Sequence, residues 1–193
     1  MTGTQDGRLA QGARTRAALV EALLTLVDEG GVHPTIPDVA ARADVSVRTV
    51  YHHFGGIQEL LVAAMELQAD RYRDLLFAIP PKGSTELRIT ALCRQRRFYF
   101  EQVTPVFLMA LTRARAESGL EVLLGDDRSV LRAQLAVTLA PELAARELGG
   151  AELLAALAHA TGWEAWRALR GAGARTAPSA ERGMALTATS LLG

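Results

Sequence analysis

Between residues 46 and 53 the chain carries Ser46, Arg48, Thr49, Tyr51, His52 and His53, a dense run of hydrogen-bonding side chains. Arginine forks onto the edge of a guanine, and a threonine methyl can meet a thymine methyl. Tyrosine and histidine donate to phosphate oxygens, which positions a protein on a duplex without reading its sequence. The chemistry on offer is recognition rather than bond making. His52 and His53 are adjacent and so point about 100° apart on a helix, which ill suits one metal ion. Cys93 is the single cysteine. With no His or Asp near it in sequence, it is expected to be a buried, inert thiol. No glycine-rich phosphate loop and no metal-ligand spacing is present. The expectation is therefore no enzyme, no metal and no cofactor.

Such side chains need a short helix held in place from behind, and the flanking residues supply one. Residues 14–29 set Leu19, Leu23, Leu26 and Val27 on one helical face. Gly30-Gly31 follow, as suits a helix C-terminus. Thr35 then stands three residues before Asp38 with Pro37 in the first turn, the pattern of a helix N-terminus. That helix ends near Ala43-Asp44. Ser46 caps a third helix from Val47 to about His53. Val39, Ala43, Val45 and Val50 are apolar where two crossing helices need a core, and Ala40 is small where they cross. Residues 36–54 therefore read as a helix-turn-helix, whose second helix enters the major groove. Thr35, Ser46, Val47, Arg48, Thr49, Tyr51, His52 and His53 are the candidate DNA-binding residues.

The remainder is helical too. Expected helices run from Ile57 to about Phe77, from Ser84 to about Gln102, from Thr104-Pro105 to near Gly119, from Asp126 or Asp127 to about Pro141, over 151–170, and from Ser179 to Leu192. Loops are expected at Pro80–Gly83 and Gly171–Pro178. No alternating strand and no fixed-period repeat is found, so the chain is read as all-α with about nine helices.

Composition sets outer bounds. The 193 residues hold 21 basic and 21 acidic side chains, with 49% hydrophobic residues. That describes a globular chain with no net charge to attract a polyanion. Lys82 is the only lysine. There is no apolar leader at the N-terminus and no run of 18 apolar residues, so neither export nor a membrane span is expected. A lone cysteine suits a reducing compartment, and a cytoplasmic location is expected.

From Arg16 to Leu61 the match to one family can be followed position by position. The first helix ends Asp28-Glu29-Gly30-Gly31. Thr35-Ile36-Pro37-Asp38-Val39-Ala40 follows, then Val45-Ser46-Val47-Arg48-Thr49-Val50-Tyr51-His52-His53-Phe54, then Glu59-Leu60-Leu61. This stretch resembles the N-terminal domain of TetR-family transcriptional regulators. The resemblance implies a helix-turn-helix domain over residues 1–56, followed by a helical ligand-binding and dimerisation domain over 57–193. It implies a homodimer on a palindromic operator, acting as a repressor that a small molecule releases. Three departures stand out. Asp44 replaces the usual turn glycine. Gly56-Ile57-Gln58 replaces the usual Ser-Lys-Glu, which removes a lysine that meets phosphate. Residues 1–56 also set Arg8, Arg14, Arg16, Arg42 and Arg48 against Asp6, Glu21, Asp28, Glu29, Asp38 and Asp44, a net charge of −1. A DNA-binding face is normally basic. Few phosphate contacts and a shallow salt dependence are expected, unless those arginines gather toward DNA. The alternative is a TetR-like helical protein controlled by a protein partner or impaired in DNA binding.

The resemblance places an effector pocket and a dimer seam in the last two-thirds. Residues 94–109 mix Arg94, Arg96 and Arg97 with Phe98, Tyr99, Phe100, Phe107 and Met109. They read either as plain core with a solvated arginine face, or as an amphipathic pocket whose arginines meet an anion. Arg97, Phe98, Phe107, Met109, His159 and Trp163 are the pocket candidates, although His159 on its apolar helix reads more readily as a core histidine. Residues 151–170 are apolar on more than one face, which calls for a second partner. Leu153, Leu157 and Trp166, with Met184 and Leu191 of the last helix, are the candidates for the dimer seam.

Overall fold

The computed structural model describes residues 3–30, 33–77, 82–113, 118–146, 149–171 and 176–193. Ten α-helices and no strand occur among the described residues. They are α1 (Gly3–Asp28), α2 (Ile36–Arg42), α3 (Val47–His53), α4 (Ile57–Tyr72), α5 (Thr85–Arg113), α6 (Ser118–Thr138), α7 (Ala140–Ala144), α8 (Gly150–Ala160), α9 (Trp163–Gly171) and α10 (Ala177–Leu192). A single 3₁₀ turn over Arg73–Leu76 follows α4. Residues 80 and 81 of the expected loop at 80–83, the glycine at 31 and residues 172–175 of the loop at 171–178 lie outside the described residues. No described helix is long and apolar enough to cross a membrane.

The chain forms two compact units. Residues Met1–Gln68 and Thr104–Leu123 make the first, and Ala69–Val103 and Leu124–Gly193 make the second. The first is therefore larger than the 1–56 segment and includes the end of α5. Leu19, Leu23, Val39, Val50, Phe54, Leu60 and Leu61 fill its core. The second unit buries Leu92, Tyr99, Phe100, Leu135, Leu157, Trp166 and Met184.

Four expected boundaries are corrected. The helix break at Thr104-Pro105 does not exist, because α5 runs through Pro105 for 29 residues. Proline removes one backbone donor, which leaves the carbonyl of Glu101 without its helical partner. Glu101 is exposed, so water can serve that carbonyl, while buried Val103, Val106 and Phe107 hold the helix on either side. Helix α6 starts at Ser118, so Asp126 and Asp127 lie inside it rather than capping it. The expected helix over 151–170 is broken into α8 and α9 at Thr161-Gly162. A Cβ on Gly162 would sit 2.9 Å from the carbonyl oxygen of Ala158, so the corner admits only glycine without a shift of backbone. The last helix opens at Ala177 on a Thr176 cap, two residues before the expected start.

Candidate nucleic-acid interface and an internal cavity

The helix-turn-helix is fixed at both helix starts by local hydrogen bonds. The Thr35 hydroxyl accepts from the Asp38 backbone N–H (3.4 Å) and donates to Asp38 Oδ2 (2.6 Å). The Thr35 backbone N–H returns to the same carboxylate at 2.7 Å. These bonds hold the Asp38 carboxyl below the usual carboxylate range, the hydroxyl contributing most. Ser46 Oγ accepts from the Thr49 backbone N–H (3.1 Å) and bonds the Thr49 hydroxyl (2.8 Å). Between these caps the chain turns at Asp44, whose φ is +53°. Aspartate tolerates the left-handed region better than most residues, so the turn closes without glycine. The backbone N–H groups of Asp44 and Val45 donate to Ala41 and Ala40.

Helix α3 is two-sided. Val50 faces the core, Phe54 at its end is buried, and Thr49 and His53 are half-buried. Val47, Arg48, Tyr51 and His52 face outward, with Val47 40% and Tyr51 56% exposed. These four occupy positions i, i+1, i+4 and i+5, which is one helical face. The structure thus separates the eight candidates into two groups. Four form the open face, while Thr35, Ser46 and Thr49 spend their hydroxyls on caps. His53 packs edge-on to His52 with ring centroids 5.3 Å apart.

The nearby arginines do not all gather toward one face. Arg42 forms a two-pronged ion pair with Glu29, one arm at 2.8 Å. The Arg16 guanidinium stacks 4.5 Å from the Phe54 ring centroid. Arg48 has no ion pair or hydrogen bond among the described residues. At the start of α4, the Gly55 N–H donates to Glu59 Oε2 (2.9 Å), and Gln58 Nε2 donates to the Arg113 carbonyl at 2.6 Å. Gln58 therefore turns into the unit, on the helix turn where the resemblance would put a phosphate-binding lysine.

The six expected pocket residues do not converge. His159 and Trp163 line a cavity of about 440 Å³ in the second unit, with Asp127, Arg128, Leu131, Arg132, Ala158, Gly162 and Glu164. Met109 lines a shallower hollow of about 260 Å³ in the first unit. Phe107 is buried in core, and Phe98 is 43% exposed. Arg97 lies against Phe98 (4.1 Å to the ring centroid) and is bound by Glu181 (2.6 Å) and Glu101 (3.2 Å). Its charge is thus already answered within the chain. The expected seam residues behave likewise. Leu153, Leu157, Trp166 and Met184 are buried inside the second unit, whereas Leu191 is 37% exposed. Four of the five are core of one copy.

One residue that matters at the cavity stood among the arginines expected to be solvated or pocket-facing. Arg96 is wholly buried. It donates to Gln134 Oε1 (3.0 Å), to the Thr161 carbonyl (2.8 Å) and hydroxyl (2.6 Å), and to the Leu131 carbonyl. Burial draws its pKa down to about 10, so it stays cationic at neutral pH. It ties α6 to the α8–α9 corner, the two walls of the cavity. The signal was available in sequence, because position 96 lies on the stripe of Ile89, Leu92, Cys93, Tyr99, Phe100 and Val103. Cys93 is fully buried, and burial pushes its thiol up to about 12, as expected of an inert cysteine.

A capped helix pair with an open outer face, in an all-helical chain, defines a helix-turn-helix protein. The family model described as "Bacterial regulatory proteins, tetR family" matches residues 19–64. The HTH-type transcriptional regulator BetI of Agrobacterium fabrum is 31% identical over 149 residues, 72% of each chain. BetI of Escherichia coli is 38% identical over 82 residues, 40% of this chain and only 42% of that regulator. A tetR-family regulator of Streptomyces coelicolor shares the fold, with a TM-score of 0.68 at 23% identity over 91% of this chain and 81% of that one. The chain belongs to the TetR family of transcriptional regulators.

Proposed function

We propose that the protein is a homodimeric, sequence-specific DNA-binding repressor that a small molecule releases from a palindromic operator. The observation that carries this reading is the outward face of α3. Val47, Arg48, Tyr51 and His52 project from a helix whose start is capped and whose back is buried. Arg48 is the base-reading residue, since its fork has no partner among the described residues and suits a guanine edge. Tyr51 and His52 serve the phosphates. Two copies would set two such helices about 34 Å apart on a palindrome. With Leu153, Leu157, Trp166 and Met184 turned inward, the seam falls to the outer faces of α8 and α10. There Ala151, Ala155 and Ala156 allow close approach, and Leu186 and Leu191 are exposed. The cavity in the second unit is of a size that holds a small ligand.

The test is selection of binding sites from fragmented genomic DNA at low and moderate salt. The expected result is one palindromic motif, bound about 5- to 150-fold less tightly by Arg48→Ala. With Arg16 and Arg42 engaged inside the chain, the slope of log affinity against log salt is expected to be shallower than about −8. Recovery of no fragment at either salt would replace this reading with control through a protein partner, which the inward Gln58 and the missing lysine at Ile57 favour.

A further inference from the structure

Helix α3 ends in two histidines. His52 is exposed, His53 is half-buried, and their rings meet edge-on with centroids 5.3 Å apart. Neither imidazole has a hydrogen bond or ion pair among the described residues. An imidazole changes charge between about pH 5 and pH 8, so its surroundings decide when it is cationic. On α3 itself the titratable and charged neighbours are Arg48, one turn before His52, and Tyr51 beside it. From α2, which packs on α3, Asp38 is bonded to Thr35 and Arg42 is paired with Glu29. From α1, Arg16 stacks on Phe54 at the end of α3, and Glu21, Asp28 and Glu29 are exposed. Asp44 of the turn is exposed, and Glu59 at the start of α4 accepts the Gly55 N–H. No acid among the described residues lies within ion-pair distance of either ring.

Free of DNA, a proton on His52 therefore meets a permanent cation one turn back and a second ring that repels it once charged. A phosphate reverses that balance. With Arg16 and Arg42 engaged within the chain, Arg48 is the permanent cation that α3 turns outward, and a protonated His52 adds a second. The helix C-terminus favours a cation with or without DNA, so it drops out of the difference. We propose that DNA binding takes up protons at this histidine pair, chiefly at His52, so that the protein holds DNA more tightly as the medium is acidified from about pH 8 to about pH 6. The inference rests on the reading of α3 as the helix that meets DNA, and it names a condition that regulates that helix. The phosphate raises proton affinity in the bound state. The added affinity is thus present below the ordinary imidazole range and is lost as pH rises through the raised, bound value. An imidazole lifted by about one unit beside a phosphate binds about sixfold more tightly at about pH 6 than at about pH 8. One such ring in each of two copies gives about 40-fold.

The probe is a labelled DNA duplex of mixed sequence, titrated with the intact chain at about pH 6 and about pH 8 at one low ionic strength. Phosphate contacts carry no sequence information, so this probe needs no knowledge of the operator. Affinity is expected to be about 5- to 40-fold higher at the lower pH. Calorimetry in two buffers of unlike ionisation enthalpy should show protons taken up on binding. His52→Gln keeps a side-chain donor and cannot take the charge, so it should bring the ratio of the two affinities within about twofold and remove most of the uptake. His33→Gln, at a histidine outside α3, is the control and should keep the ratio. If His52→Gln fails to fold, the pH titration of the four histidine ring resonances, with and without duplex, shows which ring gains the proton. A native ratio within about twofold overturns the proposal, as does a ratio that persists in His52→Gln or a proton gained at His33 or His159 instead. The motif recovered from genomic DNA is then tested in the same way. A motif bound equally at both pH values sinks the proposal and leaves the repressor reading standing. Proton-linked binding of the mixed duplex with no motif recovered does the reverse, and no binding of any duplex at either pH sinks both.

Discussion

Replacing Arg96 by methionine keeps an unbranched stem of similar reach and deletes every donor of the buried guanidinium. Four acceptors lose a partner: Gln134 Oε1, the carbonyls of Leu131 and Thr161, and the Thr161 hydroxyl. Two have substitutes. The Leu131 carbonyl lies within α6 and keeps its helical N–H, and the Thr161 hydroxyl still donates to Leu157 at 2.7 Å. Gln134 Oε1 and the Thr161 carbonyl are left unpaired in the interior. At about 1–3 kcal/mol for each buried orphan, the loss is roughly 2–6 kcal/mol. Relief from burying a charge offsets part of it, which leaves a net loss of about 2–4 kcal/mol. Urea unfolding followed by circular dichroism measures this as a lower midpoint at unchanged slope. Arg94→Met is the control. Arg94 is exposed, and its nearest acid, Glu181, is 3.9 Å away, so its loss should stay within about 0.5 kcal/mol. If the two variants were equally stable, the account of Arg96 as the tie between the cavity walls would be wrong.

The turn, the corner and the caps each give a sharper test. Asp44→Ala is expected to destabilise by about 1 kcal/mol, because alanine is strained at a positive φ, while Asp44→Gly does not, as urea midpoints will show. Gly162→Ala forces a Cβ against the Ala158 carbonyl and should cost about 1–3 kcal/mol, read as a lower melting temperature with altered tryptophan emission. In acid, the Asp38 carboxyl is held low by Thr35, and Glu142 is held low because Arg88 and Thr85 outweigh its burial. Each therefore adds stability above the ordinary carboxylate range, which is lost as pH falls through the depressed folded value. Stability measured from pH 6 to pH 3 should fall, and Thr35→Ala with Glu142→Gln should flatten that fall.

What the sequence discloses depends on how local the cause is. The caps at Thr35 and Ser46 act within four residues, so α2 and α3 stand where their residues put them. The interior of α5 is less legible. Thr104-Pro105 has the form of a helix start, and only buried neighbours on either side show that the helix passes through. At Thr161-Gly162 the small residues suggest close packing, whereas the corner exists because Arg96, 65 positions away, caps it. Four seam candidates are buried within one copy, and the sequence does not distinguish that burial from burial against a second copy. An apolar face looks the same whether its partner is α10 of the same copy or a helix of another. By type, an arginine at position 96 reads as solvated or pocket-facing, although its stripe is apolar.

The first unit is not continuous in the chain. Residues 104–123 belong to it, and 35 residues of the second unit, 69–103, are spelled out before them. On a ribosome, which releases the chain from its N-terminus, the recognition helix emerges early but its unit stays incomplete until the end of α5 has been made. Pro105, Leu108, Met109 and Thr112 must arrive before the hollow beside Val27 and His33 has its second side. The Arg113 carbonyl must arrive before Gln58 has its acceptor. A nascent chain stopped at residue 68 therefore carries every residue that would read DNA and lacks part of the body that holds them. All residues of the first unit are present only after more than half of the chain has been synthesised.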